Sequence, residues 1–138
     1  MKTLLAILAL LGVWFIAMPT EAHGGSSQAE QVGWASWYGL HHQGQKTASG
    51  ERFSRSQLTA AHRSLPMGTK VKVTNLRTGQ HVVVRITDRG PHGGGKHRII
   101  DLSEVAAKRI GLVPRGVERV RVAVVEDASE VPRPRYHS

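Results

Sequence analysis

The sequence predicts a small, mainly β domain whose strands close on themselves as a barrel. Three observations carry this expectation. Apolar residues recur chiefly with the period of strands, most cleanly over 70–74 (Lys-Val-Lys-Val-Thr) and 117–125. The 15 glycines fall largely between these runs, as turns joining short strands would require. No segment reads as a helix long enough to cover a parallel sheet, which favours a closed barrel over a sandwich or layered fold.

Along the chain, Lys2 gives a positive start and residues 4–17 form an apolar run of signal-peptide length, too short to span a bilayer comfortably. Pro19 breaks the run, and Ala22 offers a small residue before His23. Residues 1–22 are therefore expected to be an export signal, with an uncleaved anchor as the alternative. Either way the domain lies across the inner membrane, in the periplasm or cell envelope, with no stable membrane insertion once the signal is removed. Residues 23–32 are small and polar, a flexible leader, and the folded part is expected over 33–127.

Within that part, residues 34–38, 70–74, 82–86 and 117–125 are strand candidates. The 82–86 run (Val-Val-Val-Arg-Ile) reads as almost continuously buried, whereas 117–125 alternates with Arg119 and Arg121 outward. Residues 75–79 (Asn-Leu-Arg-Thr-Gly) read as a turn in which Asn75 and Gly79 take unusual backbone angles. One short helix follows Ser103, a capping residue, with Glu104 in its first turn, Ala106 and Ile110 on one face and Gly111 at its end. A second covers 56–61. Residues 128–138, with Pro132 and Pro134 between arginines, cannot continue a central strand and form a basic tail.

The chain has 138 residues, one domain's worth, with 19 Lys+Arg against 10 Asp+Glu and a formal charge of +9. Removing residues 1–22 takes one charge of each sign, Lys2 and Glu21, and leaves the surplus intact. Such a field attracts nucleic acid, an anionic membrane or an anionic polysaccharide alike. Aromatic residues make up only 5%, and no helix-turn-helix or zinc-finger spacing occurs, so nucleic acid is not the expected partner. Cysteine is absent, which excludes disulfides, thiolate metal sites, a Cys nucleophile and the acylated cysteine of a lipoprotein.

Specific wording appears in three places. Ala35-Ser36-Trp37-Tyr38-Gly39 is the first. Lys46-Thr47-Ala48-Ser49-Gly50-Glu51-Arg52-Phe53 with Leu58-Thr59-Ala60-Ala61-His62 is the second. Asp88-Arg89-Gly90-Pro91 followed by Ile99-Ile100-Asp101-Leu102-Ser103 is the third. Together they resemble the rare lipoprotein A family, over about residues 33–125. The resemblance implies a six-stranded double-psi β-barrel with one or two short helices, an architecture shared with expansins. It also implies lytic transglycosylase activity, endolytic cleavage of the MurNAc–GlcNAc bonds of peptidoglycan glycan strands, in some cases strands freed of stem peptides, with formation of 1,6-anhydroMurNAc. Many family members carry a C-terminal septum-targeting repeat; none is expected within these 138 residues. No cofactor is implied, and the protein is expected to act as a monomer on glycan strands.

In that chemistry the muramic acid's own 6-hydroxyl attacks its anomeric carbon, so one acid/base group suffices where hydrolysis ordinarily needs two carboxylates. Asp88, at the end of an apolar strand, is the first choice of acid. The resemblance sets Glu51 and His62 beside it, to share or orient the proton. Asp101 is the rival acid, since an aspartate before Leu-Ser looks like the essential aspartate of expansins; the alternative for Asp101 is a backbone-bonded residue near the helix start. Trp37 and Tyr38 alternate in facing, and Tyr38 is the candidate to stack on a sugar. Arg89 is a candidate for the lactyl carboxylate of muramic acid, and Thr47 and Ser49 for a polar wall.

Eight histidines raise the question of a metal, with His41-His42 or His92 and His97 the obvious candidates. No His-x-x-x-His lies on a helix and no carboxylate completes a set, so no metal site is expected. Gly93 to Gly95 lacks the Lys-Ser/Thr context of a phosphate loop. The competing function is a non-catalytic, expansin-like module that binds wall glycan.

Overall fold

The computed structural model describes residues 30–127. The export segment, nearly all of the leader and the basic tail lie outside the described residues. Within them are β1 (Gln31–Trp37), β2 (Thr59–His62), β3 (Lys70–Asn75), β4 (His81–Asp88), β5 (Arg98–Leu102), α1 (Glu104–Arg109) and β6 (Glu118–Glu126). The strands close in the order β1-β5-β2-β4-β3-β6. β1/β5 and β2/β4 run parallel and the other four neighbours antiparallel. The chain thus forms the six-stranded barrel with one short α-helix that the resemblance implies.

Alternation builds the walls. In β3 Val71 and Val73 face inward while Lys72 faces solvent, and in β6 Val120 and Val122 are buried between exposed Arg119 and Arg121. β4 alternates as well: Val82, Val84 and Ile86 enter the core but Val83 is 42% exposed, so the expected continuous burial does not hold. Only one face of β4 meets the barrel interior. Ile100, Leu102, Ile110 and Leu112 complete the core, each contributing on the order of 1.5–3 kcal/mol by burial.

Four local expectations need correction. β1 begins at Gln31, two residues ahead of Gly33, because pairing with β6 reaches Gln31 opposite Val122. The helix expected at 56–61 does not form: bends lead into β2, whose four residues are all buried between β4 and β5, and two-sided pairing outweighs local helix preference. Ser103 occupies the N-cap of α1, but its buried hydroxyl has no partner; Glu104 instead pairs with Lys108 at 2.7 Å. In the 75–79 turn only Gly79 has a positive φ, 74°. Asn75 acts through its side chain, accepting from the Arg77 amide at 2.9 Å and donating to the Ile110 carbonyl at 2.7 Å, which ties the turn to the end of α1.

Candidate active site

A groove of about 330 Å³ runs where the end of β1, the end of β4 and strand β5 meet. Tyr38, Asp88, Asp101, Arg98, Arg89 and Trp37 line it, with His42 and His92 at its sides. Trp37 and Tyr38 both reach it, because Tyr38 lies just past β1 and is released from strict alternation.

Asp88 closes β4. Its Oδ1 accepts from the backbone amides of Arg89 at 2.8 Å and Ala48 at 3.0 Å, and its Oδ2 from the Tyr38 hydroxyl at 3.3 Å. The 46–52 loop brings Ala48 there, held by the Ser49 amide on the Thr87 carbonyl at 3.0 Å and by the antiparallel backbone pairing of Lys46 with Arg52. Tyr38 packs on Phe53 and His42 at ring-centroid distances of 4.8 and 5.0 Å. Burial, then the Asp88 and Asp101 carboxylates and the hydrogen bond to Asp88, push the phenol well above its ordinary pKa. Tyr38 is thereby kept as a hydroxyl donor.

Asp101 is held differently. Its Oδ1 accepts from Ser36 Oγ and from the Arg98 guanidinium at 2.8 Å, and the same Arg98 nitrogen donates to Ser36 Oγ at 2.6 Å. Ser36 and Asp101 are directly paired across β1 and β5. Among the described residues Oδ2 has no partner. The groove therefore presents two carboxylates, one fixed by main chain and a phenol, the other by an arginine and a serine.

Glu51 and His62 do not line the groove. Glu51 makes a two-pronged ion pair with Arg85, one arm at 2.9 Å, and that bond is the main reason its carboxyl is held below the usual range. His62 is buried, with Nδ1 accepting from the Ser64 and Leu65 amides at 3.1 Å and Nε2 facing Gln31 Oε1 at 3.0 Å. Burial foremost, then Arg89 and Arg63, lower its pKa. The ring is neutral with its proton on Nε2, and it organises the bend after β2. Arg89 Nη1 donates to the carbonyls of Leu65 at 2.7 Å and His62 at 3.2 Å, so the guanidinium braces that bend while its flank faces the groove.

Thr47 borders a small adjoining recess behind Tyr38 and Asp88, its hydroxyl bonded to the Glu51 carbonyl at 2.8 Å and 3.0 Å from Ser49 Oγ. This pair shapes the loop from within. Sequence reasoning passes over Ser36 and Arg98, although Ser36 lies inside the first motif and Arg98 stands three residues before Asp101. His42 and His92 enter it only as metal candidates. Among the described residues no three ligating side chains converge.

Residues 30–122 match a family described as lytic transglycolase. A probable endolytic peptidoglycan transglycosylase RlpA of Synechocystis is 60% identical over 94 residues, covering 68% of this chain and 29% of that protein. An endolytic peptidoglycan transglycosylase RlpA of Neisseria meningitidis is 43% identical over 102 residues, covering 74% and 42%. The chain thus spans less than half the length of these relatives. Among solved structures, an expansin of Clavibacter michiganensis superposes with a TM-score of 0.56 at 25% identity, covering 72% of this chain and 52% of that one. A Streptomyces papain inhibitor superposes with a TM-score of 0.58 at 21% identity, covering 73% and 98%, a likeness of fold.

Proposed function

The chain belongs to the lytic transglycolase family of double-psi barrels, and from that premise we propose that it is an endolytic peptidoglycan transglycosylase with Asp88 as its acid/base. The groove supports this reading by including Asp88 in its lining with Oδ2 beside the Tyr38 hydroxyl, whose pKa burial raises. Asp88 gives a proton to the GlcNAc O4 as the bond from O4 to the muramic C1 breaks. The muramic 6-hydroxyl closes on C1, and its proton returns to Asp88. No water enters the balance, so a single carboxyl can serve both steps. Tyr38 holds Oδ2 in place, and the Arg98–Asp101–Ser36 cluster forms the opposite wall, where Arg98 meets the strand's anionic groups.

Glu51 and His62 act in this scheme as positioning residues, Glu51 by bracing the 46–52 loop through Arg85 and His62 by bracing the bend that Arg89 clasps. Export ahead of residue 23 delivers the domain to the envelope, and N-terminal sequencing of the envelope protein checks it: a chain still starting at Met1 would point to an anchor. The decisive assay is incubation of purified protein with sacculi and with peptide-free glycan, followed by analysis for 1,6-anhydromuramic ends. Their absence from both, with binding retained, would favour the expansin-like binding module that the solved neighbour brings to mind.

A further inference from the structure

A second cavity, of about 270 Å³, opens on the outer face of β1 beside the groove and plays no part in the acid/base chemistry of Asp88. Gly33, Trp34, Lys96, His97 and Arg119 are among its lining residues, none of which is acidic. Trp34 is 40% exposed, between Ala35 in the core and Gly33, where a Cβ would stand 2.8 Å from the His97 carbonyl. Only a glycine fits at 33, where β1 packs closely on Ile99 and the His97 carbonyl beside the exposed indole. Arg119 is directly opposite Trp34 across the β1/β6 pair, on the same face, and Lys96 stands on the other side. Among the described residues neither cation has an ion-pair partner.

The two cavities share a wall. Lys96, His97 and Ile99 line the Trp34 side, while Arg98 between them turns into the groove to reach Ser36 and Asp101. Trp34 lies two residues before Ser36 on β1, about 7 Å along the strand, the scale of a single sugar ring. Arg98 thus stands between the groove and the Trp34 cavity.

We propose that the Trp34 cavity is an outlying saccharide subsite that holds a muramic acid residue of the bound strand, its ring against Trp34 and its lactyl carboxylate between Lys96 and Arg119. The assignment rests on glycan being the ligand of the groove. An indole offers a flat apolar face to the C–H side of a pyranose, and a guanidinium with an ammonium gives charge-assisted bonds to a carboxylate.

Equilibrium binding by the full chain tests this with three probes: long peptide-free glycan strands, chitooligosaccharides of equal length, and a tetrasaccharide short enough to occupy the groove alone. Trp34→Ala is expected to weaken both long probes about two- to tenfold, the weight of one aromatic contact, and to leave the tetrasaccharide unchanged. Trp34→Phe should restore most of the loss, which separates stacking from misfolding. Arg119→Gln should weaken only the peptide-free strand, since chitooligosaccharide has no carboxylate. Unchanged affinity of long strands for Trp34→Ala, an equal loss on the tetrasaccharide, or an equal effect of Arg119→Gln on both long probes would overturn the subsite. Trp34-dependent binding without anhydro ends from wild type would sink the lytic reading and keep the subsite. No binding of any strand by wild type would sink both.

Discussion

The two carboxylates of the groove are held by different kinds of partner. Asp88 is fixed by two backbone amides and a phenol, so its position is set by the course of β4 and the 46–52 loop. Asp101 is fixed by Arg98 and Ser36, side chains of β5 and β1. The contrast teaches that the position of Asp88 depends on how the backbone runs, whereas that of Asp101 depends on the identity of two neighbouring side chains.

Substitution breaks or sharpens this division. Asp88→Asn should lower formation of anhydro ends by about 10²- to 10⁴-fold, as expected for loss of an acid/base group, while Asp101→Asn keeps measurable turnover. Product analysis under single-turnover conditions reads both, and the reverse pattern would transfer the acid to Asp101. In stability the order should invert. Asp101→Asn deprives Arg98 of its counter-charge in a largely covered site, a cost of about 1–3 kcal/mol, while Asp88→Asn retains a side-chain oxygen for both backbone amides. Urea unfolding of the two variants measures the difference, and equal midpoints would contradict it.

Tyr38→Phe removes the phenol's hydrogen bond to Asp88. It should reduce kcat about two- to tenfold with little change in KM, the weight of one hydrogen bond to a group already held by two others; a larger loss would make the phenol itself a proton carrier. The smallest effect concerns acid stability. His62 is neutral in the fold with a pKa below 6.5, so the unfolded chain takes up the proton first and stability falls as pH drops below 6.5, levelling once the folded ring is protonated. His62→Gln, which keeps an acceptor for the Ser64 and Leu65 amides, should flatten that slope. Glu51, depressed by Arg85, contributes stability above pH 4.5 that is lost as pH falls through its folded pKa, so Glu51→Gln should shallow the lower limb. Denaturation midpoints between pH 3 and 8 resolve the two windows.

β3 and β6 were legible in the sequence because each alternates over its length, β4 as an apolar β-branched run whose alternating burial only the structure showed, and β1 because its motif is distinctive. β2 and β5 were not: Thr59–His62 is buried along its whole length and Arg98–Leu102 has two consecutive buried isoleucines, so neither displays a period of two. The motifs also contain four of the residues that line the groove, Tyr38, Asp88, Arg89 and Asp101. They grouped Glu51 and His62 with them, and local wording carries no information about which way a side chain turns.

By itself the sequence determined a β barrel, a family, a basic surface and two rival aspartates, since composition, periodicity and motif wording are local properties of the chain. Only the tertiary structure decided that Tyr38 meets Asp88 across 50 positions and Ser36 meets Asp101 across 65. It likewise decided that Arg85 captures Glu51 and Gln31 faces His62. Those partners are chosen by barrel closure, which sets distant strands in register, and register fixes which side chains can reach one another.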